Sequence, residues 1–473
     1  GVIMTRIAII GAGISGLAAA SAIEDHARRS GLDLTTLVIE KQERVGGKIW
    51  SIKEEGYLCE WGPNGFLDSK PMTLDLCRHL QIEERLLRSD DNARKRYIYA
   101  DKTLHRLPEN GPSFLSSKLI SWPGKLRLAG EVLVPKRTDP ADETLAEFGR
   151  RRLGKEALDK LISPMVSGIF AGNPETMSLK SCFPRIYELE QEYGGLLKAM
   201  VRLARKKRAE IKEGKAVASA AGPGGVLTSF VGGIQELTDA ASSSLKGELI
   251  TGQQVERIEK KSGGFLLHLT SGKQLDVDLV ITAAPSYAVA AMIDQLNPQV
   301  ATLLREIPYA PMNVICFGYE RERIARNLDG FGYLIPRAEG CHTLGTLWDS
   351  SIFPNRAPEG KVLLRSMMGG ATNAAAIDLT DEEVIARTSA DLRQIMGITE
   401  LPDFVRVFRH PRAIPQYTRG HGARLQALDG ALAATPGLLL SGNAFYGVGL
   451  NDCVNAANRV AERVIKELQD RGA

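Results

Sequence analysis

An α/β fold organised on a parallel βαβ unit is predicted by three stretches of the 473-residue chain. Ile7-Ala8-Ile9-Ile10 is a short, continuous, mostly β-branched run, as a strand buried on both faces requires. Gly11-Ala12-Gly13-Ile14-Ser15-Gly16 follows at once and opens a helix-forming run, Leu17 to Ile23. Thr35 to Ile39 is a second apolar strand that ends on Glu40.

Each part has a mechanical reason. Gly11 suits a tight turn, Gly13 lets backbone approach a pyrophosphate, and Gly16 lets helix and strand pack closely. Ala12, Ile14 and Ser15 between them offer backbone N–H groups at a positive helix end. Glu40, roughly twenty residues further on, is placed to accept hydrogen bonds from a ribose. A structural βαβ without ligand is the competing reading, and it leaves the terminal acid without a purpose.

Bulk composition narrows the class. Hydrophobic residues make up 44% and charged residues 25%, ordinary for a globular protein, and the net charge of +4 demands no nucleic-acid partner. Six cysteines (Cys59, Cys77, Cys182, Cys316, Cys341, Cys453) are scattered without a CxxC pair, which suits a reducing compartment and predicts neither a disulfide framework nor a metal site. No apolar run reaches the eighteen or so residues that span a bilayer. With the first strand starting soon after Met4, no signal peptide is expected, and a cytoplasmic location follows.

Further along, Lys41-Gln42-Glu43-Arg44-Val45-Gly46-Gly47-Lys48 suits a loop folding over a pyrophosphate, with Arg44 as charge and the glycines admitting close contact; a glycine-rich turn with a solvated arginine is the alternative. Glu60-Trp61-Gly62-Pro63-Asn64-Gly65 is a second such turn. Thr73 to Leu80 reads as a helix. Arg96-Tyr97-Ile98-Tyr99 reads as a strand, with Arg96 either a carboxylate anchor or a surface charge.

From about Leu104 to Gly225 the pattern is helical. Ala141 to Ile162 carries apolar residues at Leu145, Phe148, Leu158, Leu161 and Ile162 with charges between, and Leu196 to Arg208 is amphipathic, with Leu196, Leu197, Met200, Val201 and Ala204 on one face and basic residues around the other. That basic helix is either a solvated face on a core helix or a surface for anionic lipid. Lys215 to Gly225 reads as a linker or loop.

The α/β pattern then returns. It comprises a helix from Ile234 to Leu245, strands at Val255, Phe265, Leu279, Val314 and Val362, and a helix from Asp381 to Ile395. A final unit runs from the strand at Leu438 through Gly447-Val448-Gly449-Leu450-Asn451-Asp452 into a helix from Cys453 to Leu468. It aims a second helix N-terminus at the same ligand.

These stretches together resemble flavoproteins of the amine-oxidase superfamily, and within it the protoporphyrinogen oxidases. The superfamily marks are Gly11 to Gly16, Glu40 with Arg44-Val45-Gly46-Gly47, and the C-terminal strand and helix. The narrower marks are Gly62-Pro63-Asn64-Gly65, Ser167 to Asn173, Ser181-Cys182-Phe183-Pro184, Ile414-Pro415-Gln416-Tyr417 and Gly447 to Cys453.

The resemblance implies a discontinuous Rossmann-like FAD-binding domain (1–80, 229–300, 411–473), an α+β substrate domain (81–104, 301–410) and a helical membrane-associating domain (105–228). It implies non-covalent FAD held by Gly11 to Gly16, Glu40, Lys41, Arg44, Gly47, Lys48, Gly62, Pro63, Asn64, Gly65, Val255, Val448, Gly449 and Leu450. It implies a tetrapyrrole pocket formed by Arg96 against a propionate, with Asn64, the Gly168 carbonyl, Leu334, Leu347 and Met367; an aromatic often stands where Met367 does.

The implied reaction is oxidation of protoporphyrinogen IX by successive hydride transfers to FAD, with molecular oxygen or another acceptor taking the electrons. No acid–base dyad stands out, and no catalytic base is assigned. No second GxGxxG sits in a strand–helix setting, which argues against an NAD(P)H site. Coproporphyrinogen III oxidation, an amine-oxidase or carotenoid-desaturase activity, and a flavin-holding scaffold are the alternatives. A homodimer and peripheral attachment at the inner face of the plasma membrane complete the expectation.

Overall fold

The computed structural model describes residues 4–214 and 225–472, so the expected linker at 215–225 lies outside the described residues save for Gly225. At the centre is a five-stranded parallel sheet ordered Glu248–Ile250, Leu34–Ile39, Thr5–Ile10, Leu279–Thr282, Leu438–Leu440. Successive side chains alternate faces along a strand. Ile7 and Ile9 accordingly enter one core with helices Ile14–Ser30, Gln235–Ser244 and Leu450–Gly472. Ala8 and Ile10 enter the opposite core, formed by the antiparallel sheet Val255–Lys261, Gly264–Leu269, Gln274–Val277 and by helices Ser286–Ile293 and Pro298–Arg305. Both faces are covered, which explains the uninterrupted apolar strand.

A seven-stranded mixed sheet runs Phe404–Pro415, Tyr309–Glu320, Lys361–Gly369, Gly345–Leu347, Gly332–Leu334, Arg96–Ala100, Thr103–Arg106. Among the described residues of 111–212 there are helices and turns but no strand.

The helical stretch expected within 141–162 forms with one interruption. Helix Leu145–Phe148 widens over Gly149–Leu153 and stops at Gly154, whose φ of +94° is left-handed backbone that a side chain disfavours. Arg127 is the partner that makes the break, since its guanidinium collects the carbonyls of Arg150, Arg151 and Arg152 at 2.8–3.3 Å. The apolar periodicity continues through the interruption, which is why the sequence pattern hides it.

Helix Leu196–Lys212 also departs from a core helix. Only Ala199 is buried, while Met200 and Val201 are 64% and 51% exposed and Ala204 is exposed as well. Its start is held by Glu131, whose carboxylate accepts the Leu196 and Leu197 N–H groups at 2.6 and 3.0 Å. Glu131 also pairs with Arg152, both fully buried, and Arg152 reaches Glu190 at 3.2 Å. Arg152→Ala leaves two buried carboxylates short of a cation and is expected to cost about 3–5 kcal/mol of stability. Denaturant titration checks this; a loss under about 1 kcal/mol would show that the pair is not what holds these helices together.

Candidate functional site

The first glycine loop is shaped by contacts that admit no side chain. Gly11 has φ +108° and donates its N–H to Ile39 O at 2.9 Å. A Cβ on Gly16 would stand 1.8 Å from Gly11 O, so only hydrogen fits. Gly13 differs, because a Cβ there would meet only Gly47 Cα at 3.8 Å and Gly46 O at 4.0 Å, ordinary contact distances. It starts helix Ile14–Ser30 with no side-chain cap, so the first N–H groups of that helix face the mouth unmet.

Glu40 sits at the same edge. One carboxylate oxygen accepts from Ala12 N at 2.9 Å and the other from Gln42 N at 2.8 Å, which fixes its orientation and leaves further lone pairs for hydroxyls. The second glycine loop docks on the first, as Gly46 N donates to Ala12 O at 2.7 Å and Gly46 and Gly47 have φ of +115° and +60°.

Arg44 folds onto this loop. Its guanidinium donates to Val45 O and Ile49 O at 2.7 and 2.9 Å and to Gly47 O, and it stacks on Trp50 at 4.5 Å. It therefore staples the loop as well as charging it. Lys41 is exposed. Lys48 Nζ instead donates to Arg412 O at 3.0 Å and to Ala413 O, and burial lowers its pKa to about 8.

The turn at Trp61–Gly65 is equally tight. A Cβ on Gly62 would lie 2.2 Å from Lys48 O, and one on Gly65 2.5 Å from Thr228 O. Pro63 between them is exposed. His410 bonds Trp61 O at 2.9 Å and packs at a tilt against its ring, centroids 4.2 Å apart; burial pulls its pKa down to about 4, so it is neutral near pH 7. Arg365, buried and paired with Asp349 at 2.9 Å, donates to Gly62 O at 3.1 Å. His410, Arg365 and Asp349 are supports that carry no local sequence signal.

Val255 is buried at the start of its strand. At the C-terminal end, Gly447 has φ +149°, Gly449 N donates to Asp452 at 3.2 Å, Val448 packs on the helical region, and buried Leu450 starts the final helix.

Whether these residues suit a dinucleotide can be tested on unmet polar atoms. Asn64 Nδ2, Gln253 Oε1 and Ser441 Oγ are buried with no hydrogen-bond partner. Gln253 N–H sits on Glu40 O at 3.1 Å, and Ser441 N–H sits on Thr282 O at 2.8 Å, at the carboxyl edge of the parallel sheet. Ligands of open α/β sheets bind at that edge. With the uncapped helix and the open Gly13, the residues present fit the group.

The seven-stranded sheet aligns the predicted substrate residues. Residues directly opposite across strands share a face. Arg96, Gly332, Leu347 and Arg365 form one row, and Ile98, Leu334, Gly345 and Met367 form the row two residues along. Arg96, Leu347, Leu334 and Met367 thus project from one face, with Gly332 and Gly345 leaving a trough between them. Gly168 closes one end, since a Cβ there would lie 3.2 Å from a Leu334 methyl. The Asn64 turn meets the other row through Gly62 and Arg365. Arg96 stacks over Phe331 at 4.3 Å, and among the described residues no carboxylate pairs with it. The trough is apolar with one available cation, suited to a flat, carboxylate-bearing ring.

The family described as flavin containing amine oxidoreductase matches residues 14–465. A coproporphyrinogen III oxidase of Bacillus subtilis is 33% identical over 460 residues, covering 95% of this chain and 96% of its own. Protoporphyrinogen oxidase 1, chloroplastic, of Spinacia oleracea is 32% identical over 472 residues, covering 97% and 83%. A solved structure from Exiguobacterium sp. 255-15, whose description names protoporphyrinogen oxidase, superposes with a TM-score of 0.83 at 27% identity, covering 99% of this chain and 100% of that one. Cyclohexylamine oxidase from Brevibacterium oxydans IH-35A shares the fold, with a TM-score of 0.70 at 17% identity over 99% and 100%. The chain is therefore an FAD-dependent oxidoreductase and belongs to the flavin containing amine oxidoreductase family.

Proposed function

We propose that the chain oxidises a porphyrinogen to its porphyrin, with protoporphyrinogen IX as the preferred substrate. The observation that carries this is the trough itself, with Arg96 uncompensated at one end and Leu334, Leu347 and Met367 along its floor. Its relatives include oxidases named for both porphyrinogens.

FAD held by the Gly11–Gly16 loop and Glu40 would supply a two-electron acceptor, used three times because porphyrinogen to porphyrin is a six-electron oxidation, with three dioxygen molecules as the terminal oxidant giving three of hydrogen peroxide. The chain's own part is binding and orientation. Arg96 holds a propionate, the leucines and Met367 keep water from the macrocycle face, and the Gly62–Gly65 turn and Gly168 fix its lateral position. His410 bonds Trp61 O, and a pKa lowered to about 4 by burial makes it a weak base, so its part in this scheme is to support the turn.

The test is growth of porphyrin fluorescence in air from protoporphyrinogen IX, with peroxide measured in parallel. Arg96→Ala should raise KM roughly tenfold to a hundredfold, the loss of a charge-assisted hydrogen bond of about 1.5–3 kcal/mol, with a smaller change in kcat. An unchanged KM would take Arg96 out of the site, and absent turnover by the FAD-loaded protein would sink the reading.

Among the described residues no helix is long and apolar enough to cross a membrane. We propose peripheral attachment through the helical region. Leu115, Trp122, Leu126 and Leu133 are 55%, 62%, 71% and 84% exposed there, beside Met200 and Val201. Helix Leu196–Lys212, which carries the last two, packs on the turn Gly130–Leu133 and brings its lysines and arginines to the same surface. Apolar anchors ringed by cations suit an anionic interface. Cosedimentation with phosphatidylglycerol vesicles is expected, and Trp122→Ser with Leu133→Ser should weaken it roughly a hundredfold or more, each inserted apolar side chain contributing about 1.5–3 kcal/mol. Equal partitioning of wild type and variant would overturn the assignment.

A further inference from the structure

A cavity of about 650 Å3 opens beside the trough and is lined by none of the residues predicted for substrate. Its floor is one face of helix Ser163–Phe170, from which Ser163 and Ser167, four residues apart, face it together. Gly168 lies about 100° further round the same helix, against Leu334. The cavity and the trough are therefore separated by the thickness of the Gly168–Leu334 contact. Ile335 and Leu344, which line the cavity, directly continue the strands whose Leu334 and Gly345 line the trough.

The opposite wall is cationic. Arg337 and Arg387 both line it, and among the described residues neither forms an ion pair. Arg337 belongs to the hairpin joining strands Gly332–Leu334 and Gly345–Leu347. That hairpin is pinned by buried Asp391, which accepts from His342 N at 3.3 Å, from Thr343 N at 2.7 Å and from Thr343 Oγ1 at 2.6 Å. Asp391 is met by its own donors and does not neutralise the arginines. Of the two carboxylates that line the cavity, Glu175 is paired with Arg150, and Asp159 stands without an ion-pair partner on the helical side. Two exposed guanidinium groups, neither in an ion pair among the described residues although Glu383 lies one turn from Arg387, stand over a roomy, hydroxyl-rich floor and form a carboxylate site of ordinary ligand-pocket size.

We propose that this cavity is a second binding site for the propionates of a tetrapyrrole, a holding point beside the trough where the macrocycle is oxidised. It rests on the porphyrinogen reading of the trough and adds to it a recognition point that the oxidation step does not require.

The test is binding rather than turnover. FAD-loaded protein is titrated with protoporphyrin IX and with coproporphyrin III, the stable oxidised macrocycles, by quenching of porphyrin and tryptophan fluorescence and by equilibrium dialysis. The expected result is a second, weaker equivalent bound per chain. Arg337→Glu with Arg387→Glu should weaken that second equivalent roughly tenfold or more and leave the first in place, as reversal of charges at an anion site does. Asp159→Asn, which removes the opposing carboxylate, should tighten it; this guards against a double variant that fails for reasons of folding.

A single equivalent in wild type, or a second one indifferent to all three substitutions, overturns the site while leaving the trough reading intact. Absence of any porphyrin binding overturns both. Succinate displacing the second equivalent as well as a porphyrin does would overturn its assignment to a macrocycle.

Discussion

Gly13→Asp protein is expected to fold and to emerge colourless, whereas the wild type is yellow and releases FAD on acid or heat. The two outcomes separate because Gly13 has room that Gly16 lacks. A Cβ at Gly13 meets nothing closer than 3.8 Å, so the backbone need not move. The added carboxylate nonetheless projects at the uncapped start of helix Ile14–Ser30, where the pyrophosphate would lie. Two anions in one site repel by several kcal/mol, a loss of roughly a hundredfold to a thousandfold in affinity. Gly16→Ala behaves differently, because its methyl would sit 1.8 Å from Gly11 O and must push helix and strand apart. That variant should lose both cofactor and thermal stability. Absorbance at flavin wavelengths together with thermal unfolding reads both effects, and a yellow Gly13→Asp protein would remove this loop from the cofactor site.

Legibility in the sequence followed the range of the interactions. The strand–glycine–helix–acid order is local, and the structure builds it within residues 5–40. Leu34–Ile39 pairs with Thr5–Ile10, whereas Glu248–Ile250, Leu279–Thr282 and Leu438–Leu440 come from far away. The supports of the second turn are non-local. His410 reaches Trp61 and Arg365 reaches Gly62 across more than 300 residues, and neither lies in a motif with recognisable spacing.

Two helical stretches were legible as patterns but not in their surroundings. The helix across 141–162 was interrupted because Arg127, from another segment, caps its carbonyls at Gly154. The apolar face of the helix at Leu196 was legible as a pattern, but whether protein covers it depends on neighbours that periodicity does not reveal. The row of Arg96, Leu347, Leu334 and Met367 is a matter of register, and register joins three short strands separated by long loops.

That row sets the last expectation: protoporphyrinogen IX should be oxidised with a higher kcat/KM than coproporphyrinogen III. The two differ where one carries vinyl groups and the other additional propionates. Vinyl groups can be buried on Leu334, Leu347 and Met367 at no polar cost. Each extra carboxylate placed there must shed water, and it needs a cation to offset that loss. Arg365 shares the face but is already paired with Asp349 and bonded to Gly62 O. Asn64, at the turn, offers a neutral amide whose Nδ2 has no partner, enough to donate one hydrogen bond but not to balance a charge. Arg337 and Arg387 lie beyond the Gly168–Leu334 contact and cannot serve the trough without the macrocycle leaving it. An uncompensated carboxylate costs about 2–3 kcal/mol or more, so a preference of roughly a hundredfold is expected. Coproporphyrinogen III oxidation remains the second reading, favoured by the 33% identity to the Bacillus subtilis enzyme of that name. Parallel assays of both porphyrinogens under air decide between them, and Asn64→Lys should narrow the gap by placing a cation at the rim. A wild-type preference for coproporphyrinogen III would transfer the substrate assignment and leave the glycine cradle and its cofactor untouched.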